Sequence, residues 1–182
     1  MELTTVEPKQ QNVHAKSSGQ KVDWKKFSLV DNIDFSMIQQ KLQSPKSKHG
    51  KGWDNEKASR AIELYKKWLY LKLEDPDAKI VPSVLIDDVW HQHILDTHAY
   101  EKDCYRVFGQ FLHHFPYFGM RDEQDRANLE AAFSETQKRF ETIWGHSMGT
   151  KMEASMCDGS GSQCEPNCDS GGGGGAGNCG NT

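Results

Sequence analysis

The sequence predicts an all-α protein: a small orthogonal or bundle-like helical domain followed by a disordered C-terminal tail rich in glycine and cysteine. Three observations support this prediction. Apolar residues recur with a period near 3.6, no alternating segments flank a hairpin turn, and no segment of the chain is repeated. The expected organisation is a disordered N-terminus over residues 1–21, a helical domain over residues 22–146 and a flexible tail over residues 147–182.

The outer helices can be placed from their caps and their periodicity. Residues 22–42 favour one or two short amphipathic helices, followed by a lysine-containing loop. Asp54 is a suitable N-cap for a helix that runs to about Glu74. A final helix is expected from about Asp122 to Trp144, with apolar residues along one side.

The segment before the LHHFPYFG motif is expected to form one long central helix. Ser83 is a suitable N-cap, and the apolar period continues as far as Phe111. Pro116 and Gly119 then end the helix. We expect Trp90 to be buried where this helix packs against both the preceding and the following helix.

Histidines and acids concentrate between residues 86 and 104 and indicate a metal site. Asp87 and His91 are four residues apart, so they share one side of a helix and could bind one ion. His113 or His114, at the helix exit, could complete the site. The full set of candidate metal-binding residues is Asp87, His91, His93, His98, His113 and His114.

A structural interpretation of the same residues is also open. His93 lies on the apolar stripe, where a lone histidine is usually a buried imidazole that satisfies a partner in the core. Asp87, His91 and His98 could form a solvated polar face. On a straight helix His98 would lie about 10 Å beyond His91, too far to share its ion.

The tail contains a second group of candidate ligands. These are the thiols of Cys157, Cys164, Cys168 and Cys179, preceded by Met148, Met152 and Met156 at intervals of four residues. Thiolates and thioethers are soft ligands that select Cu(I) or zinc. However, the cysteine spacing matches no zinc finger, and a Gly/Ser linker with incidental cysteines is the alternative.

A Trp-His-x-His motif gives the chain a resemblance to a known family. The motif and its flanks resemble those of the glycine-rich domain-containing protein family over roughly Ala58 to Trp144, and the glycine- and cysteine-rich tail resembles that family's tail. The resemblance implies a helical fold and a histidine-lined site, and it implies no particular chemistry. The matching residues are Asp87, Trp90, His91, His93, Tyr100, Asp103 and Cys104.

Composition and missing motifs exclude several classes of function. A net charge of -4 gives no basic field for nucleic acid, and no phosphate-binding loop or nucleophile motif occurs, so no nucleotide cofactor is expected. The N-terminus lacks the apolar core of a signal peptide, and no apolar run approaches the length of a membrane span. A cytoplasmic protein without a membrane partner is therefore expected.

Three functions remain open from the sequence. The first is a cytoplasmic metal-binding helical protein with a histidine-centred copper, zinc or iron site and a thiol-rich tail. The second is a non-catalytic interaction module, in which the WHxH residues are structural and the tail recruits another protein. The third is a non-haem metal-dependent oxidase, because Asp87, His91 and one histidine of the 113–114 pair would supply the two-histidine, one-carboxylate ligand set. Whether the protein is an enzyme is left open.

Overall fold

The structure, a computed structural model, describes residues 21–150. These residues contain six α-helices and one short 3-10 helix, joined by loops. Within this range there is no β-strand, so the all-α prediction is confirmed. The α-helices are α1 Trp24–Asp31, α2 Ser36–Gln43, α3 Asn55–Glu74, α4 Val84–Leu95, α5 Thr97–Phe108 and α6 Glu123–Trp144. No helix in this part of the chain is both long and apolar enough to cross a lipid bilayer.

The expected Asp54 cap of α3 is confirmed, and α6 begins at a cap of the same kind. The Asp54 carboxylate accepts a hydrogen bond from the backbone N–H of Lys57 at 2.7 Å. In the same way Asp122 accepts from the N–H of Asp125 at 2.7 Å. Each carboxylate satisfies one of the free N–H groups that a helix leaves in its first turn, which is why both helices begin where the sequence places them.

The prediction of one long helix from Ser83 to Phe111 is wrong, because the chain breaks at Asp96. Asp96 has backbone angles of φ -85° and ψ 71°, outside the helical region. Its carboxylate accepts a hydrogen bond from the N–H of Ala99 at 3.3 Å and so caps α5. The apolar period continues across the break and hides it, whereas the Asp-Thr pair at 96–97 is a recognisable helix start.

The helix break brings together residues that a straight helix would separate. The indole N–H of Trp90 donates to the hydroxyl of Tyr100 at 2.8 Å, although the two residues are ten positions apart in sequence. On a continuous helix their Cα atoms would be about 15 Å apart. The α5 helix therefore folds back beside α4.

The centre of the fold is α3, which corrects the expectation that the Trp90 helix is the central one. The α3 helix packs against α1, α2, α4 and α6, and its buried residues lie on more than one side of the helix. The longest helix is α6, with 22 residues. Trp90 is nevertheless buried as expected, and its ring centroid lies 4.7 Å from that of Trp68 on α3.

Residues just beyond α6 pack onto the start of α4. Met148, which the sequence groups with the tail, is fully buried. The Ser83 hydroxyl donates to the Met148 carbonyl at 2.7 Å, and the N–H of Val84 donates to the Thr150 carbonyl at 3.2 Å. Ser83 thus occupies the expected N-cap position, but its hydroxyl bonds to Met148 instead of capping a backbone N–H of α4. The predicted disorder of both termini concerns mainly residues outside the described range. The four tail cysteines also lie outside that range.

Candidate metal centre

Two chain segments build the candidate site. Asp87 and His91 project from the same side of α4, one turn apart, as their spacing predicts. His114 comes from the loop between α5 and α6. Two contacts hold this loop: the Tyr100 hydroxyl donates to the Leu112 carbonyl at 2.5 Å, and the His114 ring stands edge-on to Trp90 with centroids 4.4 Å apart.

The three side chains form a small triangle of ligand atoms. His114 Nε2 lies 3.2 Å from Asp87 Oδ1, and His91 Nε2 lies 3.4 Å from Asp87 Oδ2. The two Nε2 atoms are 3.3 Å apart. Ligands bound at about 2.0–2.1 Å with tetrahedral angles lie about 3.3 Å from one another, whereas cis ligands of an octahedral ion at the same bond length lie about 3 Å apart. The two imidazoles approach different oxygens of Asp87. Taking one ligand atom from each residue, all three atoms lie within 4.8 Å of one another, close enough to share one ion.

Exposure falls across the triangle from His91 to Asp87. The side chain of His91 is 42% exposed, that of His114 is 14% exposed and that of Asp87 is 7% exposed. A buried carboxylate is unfavourable unless hydrogen bonds or a cation compensate the lost hydration. The lost hydration of the Asp87 carboxylate is therefore compensated by the two imidazoles, or by a cation bound between all three groups.

His93 points to a different part of the core. It is 2% exposed, its Nε2 lies 3.3 Å from Asp103 Oδ2, and its Nδ1 lies 3.1 Å from the Tyr65 hydroxyl. Burial lowers the pKa of His93, while the negative charge of Asp103 opposes that shift. A neutral ring that donates from Nε2 to Asp103 and accepts at Nδ1 from Tyr65 satisfies all of these groups. The structure does not bring His93 to the triangle.

The remaining two candidate histidines also lie apart from the triangle. His98 is exposed near the start of α5. His113 is exposed too, and its ring packs against Phe111 with centroids 4.9 Å apart. Of the adjacent pair, His114 is therefore the one that meets Asp87 and His91, and His113 lies outside the triangle.

Sequence reasoning missed a pocket beside the triangle. Asp87, His114 and Trp90 line a cavity of about 440 Å³, together with the segment 76–82 before α4 and the loop 112–118 after α5. Lys72, Lys79 and Arg121 also line it. These three cations come from separate elements and share no spacing in the sequence, so no local pattern could have grouped them.

Comparison with known proteins identifies a family. No curated protein and no solved structure matches the chain. A family model described as UCP032817-like matches residues 25–143. The resemblance to the glycine-rich domain-containing protein family is therefore wrong, and the WHxH motif with a glycine-rich tail is not sufficient to identify that family. The match covers most of the chain, and the protein belongs to the UCP032817-like family.

Proposed function

We propose that this protein binds a divalent transition metal ion through Asp87, His91 and His114. The observation that supports the proposal is the convergence of one carboxylate and two imidazole ligand atoms within 4.8 Å of one another. Zinc and ferrous iron both accept this ligand set, and three protein ligands leave at least one coordination position open. Zinc is our candidate ion, because imidazole and carboxylate are common ligands of four-coordinate zinc.

Protonation chemistry also favours an ion at the centre of the triangle. Imidazole nitrogens and carboxylate oxygens carry lone pairs that repel one another at close range, so they converge only where protons or a cation lie between them. If both imidazoles donate from Nε2 to Asp87, two N–H groups face each other across 3.3 Å. With a cation bound, each neutral imidazole would carry its proton on Nδ1, and the two Nε2 lone pairs and the carboxylate would face the ion.

A catalytic metal is the second candidate function, and one observation favours it. Asp87 and His114 line the 440 Å³ pocket as well as the triangle. Structural zinc sites are usually closed by four protein ligands, whereas catalytic sites keep a position open to substrate or water. An ion with three protein ligands beside a cavity has the second arrangement.

Titration with Co(II), a coloured substitute for zinc and iron, tests the metal site. The full chain is used with its four tail cysteines changed to serine, so that tail thiols do not contribute. We expect one bound ion, with visible absorption typical of nitrogen and oxygen ligands. Loss of an outer partner of a metal ligand typically weakens binding about 10- to 100-fold, so His91→Ala and His114→Ala should each weaken it at least about 100-fold.

His98→Ala is the matched control, because His98 is an exposed histidine on the neighbouring helix and lies outside the triangle. It should bind Co(II) as tightly as the parent chain. Equal affinity in the parent, His91→Ala and His114→Ala proteins would show that the triangle is a hydrogen-bonded cluster without a metal role.

A further inference from the structure

The pocket beside the triangle has the size and walls of a small-molecule site. Its volume of about 440 Å³ lies within the usual range of ligand pockets, roughly 300–1,000 Å³. Most of its surface is apolar. Its apolar lining residues include Ile80, Val81, Trp90, Leu112, Phe118 and Leu129.

Positive charge predominates among the polar residues of the pocket. Arg121 lines it but is already paired with Asp125 on α6. Asp87 likewise faces the two imidazoles of the triangle. The other ionisable residues that line the pocket are Lys72, Lys79, Asp77 and His113, so two lysines face the single carboxylate of Asp77.

Both lysines have donor capacity left for a ligand. Lys72 is half-buried, and one of its three N–H donors binds the Ala78 carbonyl at 3.1 Å. Burial lowers the pKa of Lys72, while the nearby Asp75 and Asp77 oppose that shift, so an added anion would stabilise its charge. Lys79 is exposed, and its ammonium lies 5.6 Å from the centroid of the Phe118 ring, over another wall of the pocket.

We propose that the pocket binds a small molecule with an apolar body and one anionic group. The anion lies on Lys72 and Lys79, and the body lies against Trp90 and its apolar neighbours. One step rests on the proposed metal function: the end of the molecule opposite the anion then lies next to the ion held by Asp87 and His114. Amphipathic anions are thus the class of small molecule that binds in the pocket beside the metal centre.

Calorimetric titration of the metal-free full chain with three eight-carbon probes tests the binding step. Octanoate should bind about tenfold more tightly than neutral 1-octanol, because a charge-assisted hydrogen bond contributes about 1.5 kcal/mol or more. Octylammonium should bind most weakly. Lys79→Met should remove most of the preference for octanoate and leave 1-octanol binding unchanged. Lys102→Met, an exposed lysine on α5 outside the pocket, is the matched control and should bind all three probes normally.

Three results would overturn the proposal: no binding of octanoate, equal binding of octanoate and 1-octanol, or an unchanged preference in Lys79→Met. The orientation is tested separately by nuclear magnetic resonance of octanoate with Mn(II)-loaded protein, using Zn(II)-loaded protein as the diamagnetic reference. The terminal methyl should be broadened more than the methylene next to the carboxylate. The reverse order would place the anion on the metal and refute its assignment to the lysines. Failure of the protein to bind Zn(II) would refute the proposed metal function, while the metal-free titration would still decide whether the pocket takes an anion.

Discussion

Tyr100→Phe removes one buried hydroxyl that connects Trp90 on α4 to the loop that carries His114. Tyr100 is 2% exposed, and its hydroxyl accepts from the Trp90 indole N–H at 2.8 Å and donates to the Leu112 carbonyl at 2.5 Å. Burial raises the pKa of Tyr100, so the hydroxyl stays protonated and can make both bonds at neutral pH. The phenylalanine ring keeps the shape of the core and loses these two bonds.

The expected destabilisation follows from the two groups left unpaired. An intramolecular hydrogen bond contributes about 1 kcal/mol, and a buried donor or acceptor without a partner costs about 1–3 kcal/mol. Trp90 is 6% exposed, so water cannot readily replace the lost partner of its indole N–H. We expect the free energy of unfolding to fall by about 2–4 kcal/mol, which urea denaturation would measure.

Tyr100→Phe should also weaken metal binding, because the lost bond to the Leu112 carbonyl fixes the loop that carries His114. The Co(II) affinity of the folded variant should fall about tenfold. Tyr105→Phe is the matched control, since Tyr105 lies on the same helix and is 56% exposed. A loss of stability in Tyr100→Phe below about 0.5 kcal/mol, or an equal loss in the control, would refute the reasoning.

Three further predictions concern stability. His93→Ala should lower the free energy of unfolding by about 1–3 kcal/mol in urea denaturation and leave Co(II) stoichiometry unchanged; lost metal would contradict its structural role. Gly119→Ala should lower the melting temperature, because Gly119 has φ +90° and an added Cβ would lie 2.5 Å from Cδ2 of Leu129; an unchanged melting temperature would show that the turn can relax. Arg121 lowers the pKa of Asp125 to about 2 from the ordinary 3.8, so stability from this carboxylate is present above about pH 4 and is lost as the pH falls through 2. Melting curves between about pH 6 and pH 2 should therefore show Asp125→Asn less stable than the parent at the upper end, with the difference shrinking in acid; a constant difference would contradict the assignment.

Local rules were sufficient for the outer helices. Asp54 and Asp122 are strong caps ahead of regular apolar periods, so α3 and α6 could be placed nearly to the residue. The break at Asp96 was missed because the apolar period passes through it, and periodicity is averaged over several turns. The central position of α3 depends on contacts with four other helices, which no single segment encodes.

The site divides in the same way. Asp87 and His91 share a side of one helix, so their pairing follows from helical geometry alone. Helical geometry also predicts that His93 faces away from them. His114 lies beside Asp87 because α5 turns back at Asp96 and because Tyr100 bonds to Leu112. Neither contact follows from the pattern of a single helix. Sequence could therefore limit the third proposed ligand to His113 or His114 but could not choose between them.

X-ray absorption at the zinc edge tests the central claim most directly. The measurement uses the unmodified full chain loaded with less than one equivalent of Zn(II), so that the tail cysteines compete freely with Asp87, His91 and His114. The account predicts nitrogen and oxygen neighbours at about 2.0–2.1 Å, with the outer-shell scattering of two imidazole rings. A sulfur shell near 2.3 Å would place the ion on cysteine and contradict the assignment to the helical domain.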